Sequence, residues 1–208
     1  MNRRLAVLIS GRGSNLQSII DAIARGELDA TIAIVVSNRA DAGGLQRARD
    51  AGIETLVLGT RGYTSRDAYD QALADALHAR NVGLVCLAGF MRLVGAPLLR
   101  AFPDSVLNIH PSLLPAFPGL EAQRQAVEHG VRISGATVHL VTAELDGGPI
   151  ILQASVPVLD GDTPDTLAAR ILIQEHRIYP EAIRMVLAGK WKLAGRRFVL
   201  NPGESTTA

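Results

Sequence analysis

Asn108 and His110 stand at the end of a short apolar run, Val106–Ile109, with Pro111 directly after them. On a strand, residues two apart point to the same side, so the amide and the imidazole would face one space. The amide is a hydrogen-bond donor, and the imidazole takes up and releases a proton near neutral pH. Together they suit a reaction in which negative charge develops on an oxygen while a proton moves. A histidine at a strand end also serves packing alone, and it is the pairing with Asn108 that brings chemistry into view. Asp146 opens the run Asp146-Gly147-Gly148-Pro149. Turn formation is the default for such a run. Beside His110, however, the carboxylate would favour the charged imidazole. Spacing alone does not say whether the two meet.

A second candidate is Gly11-Arg12-Gly13-Ser14-Asn15-Leu16, which follows the first apolar run and opens a helical segment. Backbone N–H groups at such a turn, at the start of a helix, suit a phosphate. The dinucleotide fingerprint is incomplete, because Leu16 stands where its third glycine belongs. The next strand ends in Ser37-Asn38-Arg39, without an acid for a ribose diol. The Gly-Lys-Ser/Thr ending of a P-loop is missing too. The motif therefore points to a monophosphate rather than NAD or ATP. A plain turn capped by Ser14 or Asn15 fits the same residues. His78, His129, His139 and His176 form no metal-ligand spacing, Cys86 lies within an apolar run, and Ser112 lacks a nucleophile elbow. Neither a metal site nor a covalent serine route is expected.

The elements that must hold these residues alternate in kind. Apolar runs at Leu5–Ser10, Thr31–Ser37, Thr55–Leu58, Leu84–Ala88 and Val106–Ile109 predict strands buried on both faces of a parallel sheet. Helical segments lie between them. Thr64 to Asp67 reads as a capping box, with Tyr69, Ala72, Leu73, Ala76 and Leu77 as the apolar face behind it. The fold class is α/β, a doubly wound, mostly parallel sheet. In an open sheet of this kind ligands sit beyond the carboxyl ends of the strands, where Asn108 and His110 fall. After His110 two further strands, Ser134–Val141 and Ile150–Val158, flank the Asp146 turn. Thr163-Pro164-Asp165 opens a helix with Leu167, Ile171, Gln174 and Ile178 on one face, which Pro180 kinks or restarts. Trp191–Val199 reads as a last edge strand, and Gly203–Ala208 as a disordered tail.

The 208 residues suit one large domain, 48% apolar and 20% charged, as in an ordinary globule with a sizeable core. One cysteine allows no internal disulfide, which fits a reducing cytoplasm. A net charge of +1 and 4% aromatic residues argue against a nucleic-acid partner. Lysine occurs only at 190 and 192, a bias we assign to genome composition. Leu5–Ile9 is too short for a signal peptide, and no run approaches the roughly 18 apolar residues of a membrane span.

Taken together these segments resemble the folate-dependent phosphoribosylglycinamide formyltransferases. The resemblance runs from Leu5 to about Leu193. It rests on Leu8-Ile9-Ser10-Gly11-Arg12-Gly13-Ser14-Asn15-Leu16, Leu87-Ala88-Gly89-Phe90-Met91-Arg92, Asn108-Ile109-His110-Pro111-Ser112-Leu113-Leu114-Pro115 and Glu144-Leu145-Asp146-Gly147-Gly148-Pro149. It implies a Rossmann-like formyltransferase fold with antiparallel strands in the C-terminal half, as one domain over residues 1–200. The phosphate half would cover about 1–105 and the folate and catalytic half about 106–200. Asn108, His110 and Asp146 would be the catalytic trio. Gly13, Ser14, Asn15 and Glu175 would hold the ribonucleotide. Arg66, Met91, Arg92, Leu93, Val94, Asn108, Thr142, Ala143, Glu144, Leu145 and Asp146 would line the folate site.

The implied reaction carries a formyl group from 10-formyltetrahydrofolate to the amine of glycinamide ribonucleotide, in purine biosynthesis. The folate is a cosubstrate, with no permanently bound cofactor and no metal. Partners would be small molecules, neither nucleic acid nor membrane, and the chain a monomer or homodimer in the cytoplasm. One position departs from the family pattern: Leu172 stands where a polar side chain is the rule, which puts a nucleotide contact from there in question. A formyltetrahydrofolate hydrolase shares the Asn-x-His-Pro-Ser-Leu-Leu-Pro run but usually carries an extra N-terminal domain. A methionyl-tRNA formyltransferase adds a basic C-terminal domain. A non-catalytic nucleotide-binding module would not need Asn108, His110 and Asp146 together.

Overall fold

The computed structural model describes residues 2–201, so the tail expected at Gly203–Ala208 lies outside the described residues. Along the chain run β1 (Arg4–Ile9), α1 (Ser14–Ala24), β2 (Thr31–Ser37), α2 (Gly44–Asp50), β3 (Thr55–Val57), α3 (Arg66–His78), β4 (Leu84–Leu87), α4 (Ala96–Ala101) and β5 (Val106–His110). There follow α5 (Ala122–His129), β6 (Ile133–Leu140), β7 (Ile150–Pro157), α6 (Pro164–Leu187), β8 (Trp191–Ala194) and β9 (Arg197–Leu200). One sheet takes all nine strands in the order β3-β2-β1-β4-β5-β6-β7-β9-β8. β1 to β5 pair in parallel, while β5–β6 and β6–β7 are antiparallel. The fold class expected from the alternating pattern is the one observed.

The apolar runs are continuous because both faces of the sheet are covered. Leu5, Val7 and Ile9 of β1 pack with Leu16 and Ile19 of α1 and Ile171, Ile178 and Tyr179 of α6. Their neighbours Ala6 and Leu8 point the other way, onto Tyr69, Leu73 and Leu77 of α3 and Leu98 of α4. Alternate side chains of one strand thus feed two separate cores.

Four local expectations change. The α3 cap is Ser65 rather than Thr64: Ser65 is extended, and its Oγ accepts the Ala68 N–H at 3.0 Å. No reciprocal acid completes a box there. The buried stripe of α3 is also rotated, taking in Asp70 and Ala74 while Ala72 and Ala76 are only half-buried. On α6 the buried position is Glu175 rather than Gln174, and the helix passes through Pro180 to Leu187. The ring removes one N–H donor, yet Ile178, Tyr179, Ala182 and Ile183 anchor both sides of it in the core. Finally, Trp191–Val199 is a hairpin, not one strand. Gly195, at φ 61°, lets the chain reverse between β8 and β9.

Candidate active site

β5 ends at the centre of the sheet with Asn108 and His110, and its antiparallel neighbour β6 places His139 opposite Asn108 and Thr137 opposite His110. Directly paired residues on antiparallel strands share a face. Asn108 Nδ2 lies 3.2 Å from His139 Nε2, and His139 Nδ1 lies 2.9 Å from the Leu140 carbonyl. A carbonyl can only accept, so Nδ1 carries a proton, and Nε2 is left facing the Asn108 amide. The amide has two N–H groups, so one remains for a ligand whichever way the other contact runs.

His110 is buried between two acceptors. Its Nε2 donates to the Phe117 carbonyl at 2.9 Å, and its Nδ1 faces Asp146 Oδ2 at 3.5 Å. Both ring nitrogens thus face an oxygen that can accept. Asp146 meets His139 as well, at 3.6 Å from Oδ1, and its Oδ2 accepts the Gly119 N–H at 2.8 Å. Burial pushes the Asp146 carboxyl up, but the His139 ring, the Gly119 amide and the His110 ring outweigh it. They hold the carboxyl below its ordinary value.

The turn that delivers Asp146 depends on its glycines. A Cβ on Gly148 would fall 1.8 Å from the Leu140 carbonyl oxygen, so the chain passes β6 there only as bare backbone. On its far side Asp146 borders a cavity of about 550 Å³, shared with Pro115, Glu144 and Arg196. Ser112 is wholly buried, and its hydroxyl donates to the Ala116 carbonyl at 2.6 Å, a loop-holding role. Cys86 is buried in β4, and its thiol is pushed up to about 12 by burial.

The glycine turn lies after β1. Gly13 is the N-cap of α1, at φ 73°, and no side chain caps the helix; neither Ser14 nor Asn15 does so. The amides of the first turn are therefore available to an anion. Asn15 instead donates to Glu175 Oε2 of α6 at 2.7 Å, and its Oδ1 is buried with no partner. Burial raises the Glu175 carboxyl, against the lowering effect of Asn15. Gly13, Ser14, Asn15 and Glu175 are thus brought together. Beside them Ser14, Arg47 and His176 border a cavity of about 310 Å³.

On the opposite face of the sheet, Met91–Val94 follows β4, with the Met91 N–H held by Ser10 Oγ at 2.8 Å. Arg66 starts α3 near Gly95, and Arg92 lies over the Tyr69 ring, 4.3 Å from its centroid. Val94 and Val141 pack on the same core cluster, which brings the Thr142–Asp146 loop to this side. Thr142, Ala143, Glu144 and Leu145 are exposed. His139, the Phe117 carbonyl and the Gly119 amide were not expected at the site. Only the pairing of β6 with β5 could have pointed to His139.

The formyl transferase family pattern matches residues 3–183. The chain belongs to this family. The phosphoribosylglycinamide formyltransferase of Escherichia coli K12 is 49% identical over 189 residues, 91% of this chain and 89% of that protein. Among solved structures, glycinamide ribonucleotide transformylase 1 from Symbiobacterium toebii superposes on this formyl transferase with a TM-score of 0.94 at 59% identity. That match covers 96% of this chain and 94% of the other. A formyltetrahydrofolate deformylase from Pseudomonas syringae pv. tomato DC3000 shares the fold at a TM-score of 0.89 and 26% identity. It covers 96% of this formyl transferase and 66% of the deformylase. No helix among the described residues is long and apolar enough to cross a membrane.

Proposed function

We propose that this site passes the formyl group of 10-formyltetrahydrofolate directly to the amine of N1-(5-phospho-D-ribosyl)glycinamide, giving the N-formyl ribonucleotide and tetrahydrofolate in purine biosynthesis. The observation that carries the reading is the meeting of Asn108, His110 and Asp146 at strand ends, between an uncapped helix start and an arginine-bearing loop. The amine nitrogen attacks the formyl carbon, and the carbonyl oxygen becomes an oxyanion. An N–H of Asn108 and an N–H of His110 donate to it, and donors preset in this way contribute most to such steps. His110 Nε2–H exchanges the Phe117 carbonyl for the oxyanion. Collapse breaks the bond from carbon to N10, and the proton leaving the amine ends on N10. Asp146, ionised, keeps His110 charged and relays that proton through water.

Gly13, Ser14 and Asn15 present amides to the phosphate, and Glu175 accepts hydroxyls of the same nucleotide. Arg66, Met91–Val94, Asn108 and Thr142–Asp146 receive the folate. The transfer from the carboxylate-bearing folate to the phosphate-bearing amine leaves the formyl carbon at one oxidation state, so it calls for no redox group. The deciding experiment follows 10-formyltetrahydrofolate consumption with and without the ribonucleotide. Consumption that depends on the ribonucleotide is expected. Formate released at the full rate without it would place the chain with hydrolysis instead.

A further inference from the structure

The apolar stripe of α3 is interrupted by an acid. Asp70, between Tyr69 and the next turn's Leu73, is only 2% exposed. Its Oδ2 accepts the N–H of Gly95 at 2.7 Å. Gly95 directly follows Met91–Val94 and is the N-cap of α4, so this one bond ties the segment to α3. A Cβ on Gly95 would stand 2.6 Å from that oxygen and 3.4 Å from Arg66 Nε. The carboxylate, the segment and Arg66 therefore converge at a point that only a glycine can occupy.

Two guanidinium groups flank Asp70. Arg66 lies one helical turn before it, and Arg92 lies over the ring of its neighbour Tyr69. No salt bridge among the described residues involves either arginine. Arg92 Nε is buried and has no hydrogen-bond partner. Burial pushes the Asp70 carboxyl up, while the Gly95 amide, Arg66 and Arg92 pull it down. A buried acid is costly to hold in an otherwise apolar stripe unless it is bonded. Here the bond made is to the segment assigned to the folate.

We propose that Asp70 is a positioning residue for the folate side of the site. Through the Gly95 amide it fixes Met91–Val94, and from between Arg66 and Arg92 it sets both guanidinium groups toward a carboxylate of the incoming ligand. This rests on the reading that those residues receive the formyl-folate.

Steady-state kinetics with both substrates tests it. Asp70→Ala should raise KM for 10-formyltetrahydrofolate about ten-fold, the scale of one lost buried hydrogen bond to a charged group. KM for the ribonucleotide should stay within about two-fold, as expected for a site that Asp70 does not touch. Asp70→Asn keeps an oxygen for the Gly95 N–H but not the charge between the two arginines, so it should recover part of the folate KM. Should Asp70→Ala fail to fold, Gly95→Ala breaks the same contact from the other side and should give the same split. A rise in both KM values together, or none in either, would overturn the proposal and leave Asp70 a packing residue. Asp70→Asn behaving like Asp70→Ala would overturn the Gly95 route. If the folate reading itself is wrong, Arg66→Ala and Arg92→Ala will leave the folate KM unmoved, whereas an error about Asp70 alone leaves those two effects in place.

Discussion

His110 meets an acceptor at each ring nitrogen, so the imidazole is oriented before any substrate arrives. His110→Ala is therefore expected to lower kcat by on the order of 10²–10⁴, the usual range for a placed proton-transfer group. Turnover within a few-fold of wild type would remove it from the chemistry. His139 acts on Asp146. After burial, which raises the carboxyl, the His139 ring is the leading influence and lowers it. His139→Ala should then move the Asp146 midpoint up, followed by NMR of its carboxyl carbon; an unmoved midpoint would separate the two residues. A carboxyl held below its unfolded value, about 3.9, stabilises the fold above that pH, and the effect fades as pH falls through the folded value. The variant should accordingly lose stability at neutral pH and little in strong acid. Asn108 and His110 were legible in the sequence because strand alternation is a local rule. His139 was passed over because its place depends on the register of β6 against β5, a long-range pairing that no spacing within His139's own segment reveals.

Among the elements, α3 separates two neighbouring hydroxyls that look alike in sequence. Ser65→Ala should cost about 1 kcal/mol in denaturant unfolding, the usual loss for an N-cap. Thr64→Ala, which leaves the cap in place, should change the midpoint little. Equal effects would mean that the helix starts elsewhere. The one-residue error in reading this cap has a physical source. Either hydroxyl can cap, and burial of Tyr69, Leu73 and Leu77 against the sheet selects the start. The glycine turn carries a related lesson. A Cβ on Gly13 would stand 2.6 Å from Gly44 Cα, at a φ of 73°. Gly13→Val thus disturbs the contact between this turn and α2 before it meets a phosphate, and cannot isolate phosphate binding. The strand pattern and the Thr163 cap of α6 were read correctly, because both rest on neighbours in sequence. The final hairpin was not, since a two-residue Gly195-Arg196 turn inside a short apolar stretch resembles a continuing strand.

At the scale of the molecule, the two proposed ligand sides belong to opposite faces of the sheet, and among the described residues no activated nucleophile stands between them. Ser112 is committed to a loop carbonyl and Cys86 is enclosed in β4. Covalent catalysis would need such a group beside a base. Both substrates must then be bound at once, and double-reciprocal lines should intersect when one is varied at several levels of the other. Parallel lines, with a formylated protein in the mass spectrum, would contradict direct transfer. The sheet order has a consequence for where the molecule can breathe. β5 is the middle strand of nine, with four strands on each side, whereas β8 forms one rim. In deuterated water the amides of β5 should exchange only through global opening, with those of β8 exchanging far sooner. The spacing of Asn108 from His110 would then persist through every partial opening that lets the rim and its loops rearrange.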